Sequence, residues 1–147
     1  MRVRRSIIAV GAAVILGTTG ALLVPAVASA HSDTHTLTFT SVENMTVNFT
    51  KTTGGEQNTD VNAAGTTVGF DMLYFTIISS TIANVNLTID DTSGGFLYGT
   101  ATGNLQTGAV TNGKVTGGTG AFKGACGTIT ITPISSTKEA VTITYST

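Results

Sequence analysis

The segment Gly117-Gly-Thr-Gly-Ala-Phe-Lys-Gly-Ala-Cys-Gly-Thr-Ile-Thr-Ile131 carries the strongest fold signal in the sequence. It opens with a glycine cluster, which can turn at positive φ because glycine has no Cβ to clash with the backbone. It continues into Thr128-Ile129-Thr130-Ile131-Thr132, where polar and apolar residues alternate as they do in a half-buried strand. The segment therefore predicts a tight turn that leads into a strand.

The same alternation recurs through most of the chain after residue 30, while helical periodicity is nearly absent. In Ile82–Asp90, Ala83, Val85, Leu87 and Ile89 are predicted to point inward. About eight short strands, with no helix to cover an open sheet, predict an all-β fold in which an eight-stranded antiparallel barrel closes on itself. An immunoglobulin-like sandwich is the alternative.

Three segments depart from simple alternation. Val42-Glu43-Asn44 is interpreted as a turn or bulge, and the polar, glycine-bearing stretch from Thr53 to Gly65 as a loop. Thr67–Ile77 is apolar on both faces, with Phe70, Met72 and Tyr74 on one and Leu73, Phe75 and Ile77 beside Asp71 on the other. A strand that is apolar on both faces is expected to be covered on both, either within the barrel or by a second subunit.

The first thirty residues have the pattern of a secretory signal peptide. A basic start is followed by an apolar run from Ile7 to Val24 and by Ala28-Ser29-Ala30, which matches the small-x-small cleavage pattern. Cleavage would leave a single domain over residues 31–147, secreted and without a stable membrane anchor. An uncleaved membrane anchor is the alternative, since the apolar run is near the lower limit for a span.

The charges after residue 30 exclude one class of partner. All three arginines precede Ala30, and the remaining chain carries four lysines and eight acidic residues. A mildly acidic surface without arginine fits neither nucleic acid nor anionic lipid. Cys126 is alone, so it can form no intramolecular disulfide, and it is expected in the core because free cysteines are usually buried.

The order Gly-Gly-Thr-Gly-aromatic-basic-Gly-Ala-x-Gly followed by a strand resembles the late-strand signature of the allene oxide cyclase and dirigent-protein barrels. The resemblance extends in usable detail from Phe70 to Tyr145. It implies an eight-stranded barrel, often trimeric, with an apolar cavity that holds a reactive molecule in one conformation. Dirigent proteins rely on arginine and aspartate, and this chain has no arginine after residue 30. Allene oxide cyclases use a glutamate, for which Glu43 is the candidate by resemblance.

The sequence supports three hypotheses for function. The first is an exported barrel that binds a small apolar molecule, the second is an isomerase or cyclase of the allene oxide cyclase type, and the third is a structural protein whose barrel is packed solid. Catalytic candidates are Glu43, Asp71 and Tyr98, although Asp71 is also explained by a solvated face at the barrel mouth. The predicted ligand-binding side chains are Phe49, Phe70, Met72, Tyr74, Tyr98 and Tyr145.

No cofactor is expected. A metal site is not expected either, because the two histidines, His31 and His35, have no cysteines near them and Asp33 as the one carboxylate between them. The chain is predicted to form a homo-oligomer, a trimer by resemblance.

Overall fold

The computed structural model describes residues 33–92 and 94–147. The predicted signal peptide and its cleavage site lie outside these residues. Within these residues, eight strands follow one another, with one short 3-10 turn, Gly120–Phe122, between the sixth and seventh. The strands are β1 (Thr34–Asn48), β2 (Thr53–Val61), β3 (Thr67–Ile77), β4 (Ile82–Asp91), β5 (Gly95–Asn104), β6 (Val110–Gly118), β7 (Cys126–Ser135) and β8 (Lys138–Ser146).

Each strand pairs antiparallel with the next, and β8 pairs back with β1, so the sheet is a closed barrel. This confirms the predicted barrel and excludes the sandwich. Closure leaves no exposed sheet edge along most of the wall, which is how a threonine-rich sheet avoids edge-to-edge aggregation. No helix of the described residues is long and apolar enough to span a membrane.

The hydrophobic core fills much of the barrel interior. The predicted inward face of β4 is confirmed, because Ala83, Val85, Leu87 and Ile89 are all buried. Leu97 from β5 and Ile143 from β8 are completely buried beside them. On these strands, the alternation of polar and apolar residues therefore places the apolar side chains on the inward face.

The segment around Gly117–Ile131 closes one end of the barrel. Gly120 has a φ of 56°, so the predicted positive φ is confirmed. The turn directs Phe122 into the interior, where only 1% of its surface is exposed. Its ring packs edge-on against Tyr145, with the ring centroids 5.5 Å apart. The glycine turn thus positions the Phe122 ring so that it closes this end of the barrel.

The interpretation of residues 53–65 as a loop is wrong over most of its length. Residues Thr53–Val61 form β2, which pairs with β1 on one side and β3 on the other. The polar residues Asn58 and Asp60 are buried because they point into the barrel. Glu43 lies within β1 at a register shift, which confirms the bulge rather than the turn.

The expectation that Cys126 lies in the core is also wrong. Cys126 is exposed at the start of β7, and its Sγ lies 3.6 Å from the Ser146 hydroxyl. Its neighbour Ala125 is buried instead, with 3% of its surface exposed. Successive residues of an extended chain point to opposite sides, so the burial of Ala125 directs Cys126 outward.

Candidate functional site

The structure fixes which face of β3 points into the barrel. Asp71, Leu73 and Phe75 pair with inward residues of β4, in the register Asp71↔Ile89, Leu73↔Leu87 and Phe75↔Val85. Directly opposed residues of neighbouring strands lie on the same face of a sheet. The alternate residues of β3 are therefore on the outside, and they are Phe70, Met72 and Tyr74.

Most of the predicted ligand-binding side chains do not line the interior. Phe49 is 61% exposed, and Phe70, Met72, Tyr74 and Tyr98 are also exposed on the outer surface. These five side chains therefore do not line the barrel interior: four lie on the outward faces of β3 and β5, and Phe49 lies in the turn that follows β1. Tyr145 alone of the predicted set packs against the core.

Some of these outward residues form what we call the outer patch, in which apolar side chains near the end of β1 and on β3 lie on either side of Gly55 and Gln57 of β2. Within it, Phe49 and Tyr74 stack with their ring centroids 6.2 Å apart. Tyr98 lies on the outside of β5, so its hydroxyl cannot act inside the barrel. The outer patch consists of Met45, Val47, Phe49, Met72 and Tyr74.

Asp71 is the centre of a buried polar network. Its carboxylate accepts a hydrogen bond of 2.6 Å from the Ser41 hydroxyl and one of 2.8 Å from the Asn58 amide. Only 4% of the Asp71 surface is exposed, so the explanation by a solvated face at the barrel mouth is wrong. Two hydrogen bonds from neutral donors compensate part of the cost of burying this carboxylate.

Asp60 lies deeper still, with 1% of its surface exposed. Among the described residues no hydroxyl or N–H group reaches its carboxyl oxygens, and its polar partner is the carboxyl group of Asp71. Burial, then the charge of Asp71, a hydrogen bond with Asp71 and the charge of Asp91 raise the pKa of Asp60 from its ordinary value of 3.8 to about 9. Asp60 is therefore a neutral carboxylic acid at neutral pH.

A cavity of about 240 Å³ opens into the barrel at the end where β3 finishes and β4 begins. We call it the glutamate cavity, because Glu56 and Glu139 border its otherwise apolar wall. The size is sufficient for a small organic molecule, and apolar walls with few polar groups are typical of ligand sites. The apolar wall consists of Leu73, Phe75, Ala83, Val85, Leu105 and Val110.

The carboxyl groups of the glutamate cavity are poised to exchange protons. Burial, and then the charges of Glu56, Asp71 and Glu43, raise the pKa of Glu139 from 4.5 to about 7. Burial, and then Glu43 and Asp71, also raise the pKa of Glu56. A carboxyl group with a pKa near the ambient pH can act as a general acid or base. Glu43 itself is half-buried at the bulge and accepts a hydrogen bond from Thr46.

A second cavity, of about 300 Å³, lies at the opposite end. We call it the aspartate cavity: Asp60, Asp90 and Asp91 border it together with apolar side chains. It lies beside the first residues of β1, which have no neighbouring strand on the β2 side because β1 pairs with β2 only from Thr40 onward. Its apolar wall consists of Leu37, Phe39, Val68 and Ile89.

The described residues place no lysine or arginine inside the barrel. The four lysines of the described chain are all exposed, and arginine does not occur after Arg5. Within residues 33–92 and 94–147, no three histidine, cysteine or acidic side chains are grouped to hold a metal ion. The interior is thus acidic on the side of β1, β2, β3 and β8 and apolar on the side of β4 and β5.

Sequence reasoning missed Glu56, Asn58, Asp60 and Glu139. A signal for the first three was present, because Glu56, Asn58 and Asp60 recur at every second position, as they would on one face of a strand. For Glu139 the sequence held no such signal, since its neighbours Glu56 and Asp71 come from β2 and β3.

Comparison with known proteins supports the fold. No family model and no curated protein matches the chain. Among solved structures, a pyocyanin demethylase superimposes with a TM-score of 0.60 at 20% sequence identity. The match covers 76% of this chain and 100% of the demethylase. At this identity the similarity establishes a shared barrel fold, and the chain therefore has the architecture of a barrel that is known in an enzyme.

Proposed function

We propose that this protein is a secreted barrel that binds a small, mainly apolar molecule in the glutamate cavity. The observation that carries the proposal is the cavity itself, about 240 Å³ with an apolar wall and two half-buried carboxyl groups. The wall provides the hydrophobic contribution to affinity, and Glu56 and Glu139 orient a hydrogen-bond donor of the ligand. Such a cavity argues against the third hypothesis, a barrel packed solid for a structural role.

A second candidate function is catalysis of the allene oxide cyclase type on a hydrophobic substrate. Glu139 favours it, because a carboxyl with a pKa of about 7 can both give and accept a proton in one turnover. The similarity to a structure named for demethylation adds that a barrel of this shape can host an enzyme. In this candidate, Glu139 and Glu56 replace Tyr98 as the acid–base groups, since Tyr98 lies outside the barrel.

The ligand cavity can be tested by filling it. Gly103 lies on its wall at a φ that is not positive, and an added Cβ would meet Val85 at 3.6 Å, an ordinary contact. We expect Gly103→Leu to fold and to occupy the cavity with its side chain. Indole, a neutral apolar molecule with one N–H donor, should bind the wild type and lose at least about tenfold in affinity in this variant. Isothermal titration calorimetry measures both affinities.

Thr100→Leu is the matched control, because Thr100 is exposed on the outer face of the same strand. It adds comparable bulk outside the barrel and should leave indole binding unchanged. Equal affinity in Gly103→Leu and the wild type would place the indole elsewhere, and an absence of wild-type binding would remove the support for this cavity.

The proposal includes self-association through the outer patch. Phe75 points inward, so the face of β3 left for a partner is the outward one, which contributes Met72 and Tyr74 to the outer patch. Met72 is 54% exposed at the centre of this face. A second copy of the chain is the natural cover, and the family resemblance favours a trimer. Apolar surface of this kind is uncommon on a monomer unless a partner covers it.

Met72→Asp is expected to dissociate the oligomer, since an interface that buries Met72 would have to bury an unpaired charge. Light scattering coupled to size exclusion should show an oligomer for the wild type and a monomer for the variant at micromolar concentration. Asn84→Asp, an exposed change on the outside of β4, serves as the control and should remain oligomeric. A wild-type monomer would contradict the proposal.

A further inference from the structure

The side-chain amide of Asn58 is held in one orientation inside the barrel. Only 4% of the Asn58 surface is exposed, and its Nδ2 donates a hydrogen bond of 2.8 Å to Asp71. The other oxygen of the same carboxyl group accepts a hydrogen bond of 2.6 Å from Ser41. Only the nitrogen of an amide can donate, so Asp71 fixes the Asn58 nitrogen on its own side and leaves the amide oxygen turned away from it.

The amide oxygen of Asn58 is a buried acceptor without a donor. No hydrogen-bond donor of the described residues reaches this Oδ1 atom. Buried polar atoms in proteins are almost always paired, and the exceptions call for an explanation. A ligand that brings an N–H group to this oxygen is such an explanation.

Asn58 borders a recess at the end of the barrel where the glutamate cavity opens. The recess has a volume of about 100 Å³ and adjoins the glutamate cavity, because Glu56 and Glu139 border both. Asn58 lies at its inner end, two residues beyond Glu56 along β2, and the exposed turn at residues 135–138 forms its outer rim. A water molecule takes up about 30 Å³, so the recess holds a head group of a few non-hydrogen atoms.

The polar groups around the recess call for a head group that both donates and accepts. Asn58 Oδ1 needs a donor. Lys138 at the rim is a donor, and Glu139, whose pKa is about 7, donates whenever it is protonated. A neutral head group also costs less to remove from water than a charged one. A primary carboxamide meets these requirements, since it combines an –NH2 with a carbonyl group.

We propose that the ligand of the glutamate cavity carries a primary carboxamide, which enters the recess and donates one N–H to Asn58 Oδ1. The second N–H and the carbonyl oxygen pair with the carboxyl groups of Glu56 and Glu139, and the apolar body lies against the wall of the glutamate cavity. This inference rests on the function proposed above and names the class of ligand for the same site.

Benzamide and acetophenone are a matched pair of probes. Both have a phenyl ring and a carbonyl group in nearly the same shape, and the –NH2 of benzamide is replaced by a methyl group in acetophenone. A purely apolar cavity would prefer acetophenone, because an amide is more costly to remove from water. We expect the reverse, with benzamide binding the wild type about three- to tenfold more tightly, since only benzamide can donate to Asn58. Isothermal titration calorimetry measures both affinities.

Asn58→Leu removes the acceptor and keeps a similar volume. We expect the preference for benzamide to disappear in this variant, whereas Asn84→Leu, on the exposed outer face of β4, should retain it. The wild type supplies a second readout that decides the question even if Asn58→Leu does not fold. The side-chain carbonyl carbon of Asn58 should shift in the NMR spectrum much more with benzamide than with acetophenone, because it responds to a hydrogen bond at its oxygen.

The outcomes separate this inference from the function on which it rests. If acetophenone binds as tightly as benzamide and both lose affinity in Gly103→Leu, the glutamate cavity is the ligand site and the carboxamide assignment is wrong. A preference for benzamide that persists in Asn58→Leu would also overturn the inference. If indole binds and neither probe does, this inference alone fails, and if none of the three molecules binds, both proposals fail.

Discussion

Replacement of Gly120 by valine is expected to lower the free energy of unfolding by about 3 to 5 kcal/mol. Two separate effects lower the free energy of unfolding at this position, and they add. Gly120 has a φ of 56°, which a β-branched residue adopts only with strain. A Cβ there would also lie 2.2 Å from the carbonyl oxygen of Gly94, a backbone atom that cannot rotate away. Chemical denaturation of the wild type and the variant measures the difference.

Gly124→Val separates the two costs. Gly124 lies in the same segment at a φ of 85°, but an added Cβ would meet no atom within 4 Å. This variant should lose only the conformational part, about 1 to 2 kcal/mol. If both variants lost the same stability, the close approach of Gly120 to Gly94 would contribute nothing, and the turn would not be held against β5 as the structure describes.

Asp60→Asn is expected to remove most of the pH dependence of stability between pH 5 and pH 8. In the unfolded chain this carboxyl loses its proton above pH 3.8, whereas in the folded barrel its pKa is about 9. The folded state therefore binds more protons in this window, so the stability of the wild type falls as the pH rises. We expect a loss of about 2 to 4 kcal/mol from pH 5 to pH 8, which the variant avoids.

The variant should match the wild type near pH 4 and exceed it in stability at pH 8, because asparagine keeps the shape and is neutral in both the folded and the unfolded state. A smaller slope should remain below pH 7, since Glu139 titrates between 4.5 and about 7 in the same direction. Asp33→Asn makes the same chemical change at an exposed position and is expected to retain the wild-type profile. A wild-type slope in Asp60→Asn would show that Asp60 is not the buried acid.

The local sequence pattern was sufficient to predict the strands in which one face is clearly apolar. β4 is the clearest instance, because Ala83, Val85, Leu87 and Ile89 alternate with polar residues and all four are buried. The barrel followed from the repetition of such strands and from the absence of a helix to cover a sheet. The glycine turn at Gly120 was also predictable, since only glycine adopts that conformation without strain.

β3 could not be oriented from its own sequence, because both of its faces are apolar. An explanation of Asp71 by a solvated face predicts that it points outward, and in the structure it points inward. Its hydrogen-bond donors, Ser41 and Asn58, lie 30 and 13 residues earlier in the chain, on β1 and β2. The energy that stabilises the buried carboxylate thus comes from partners that the local sequence does not reveal.

The candidate site was missed for a related reason. In β2 the inward positions are Glu56, Asn58 and Asp60, the reverse of the usual rule that inward residues are apolar. Gly54 and Gly55 at the start of this strand also made the sequence of the segment resemble that of a loop. A barrel interior can hold polar side chains where it encloses a cavity, and here the cavities and the polar inward face occur together.

The measurement that tests the central claim most directly is native mass spectrometry of the protein purified from the culture in which it is naturally made. The account predicts a non-covalently bound small molecule on the wild type and its absence from Gly103→Leu, whose side chain fills the glutamate cavity. If the wild-type protein and Gly103→Leu both carried no bound molecule, or both carried the same one, the assignment of the glutamate cavity as the ligand site would be contradicted.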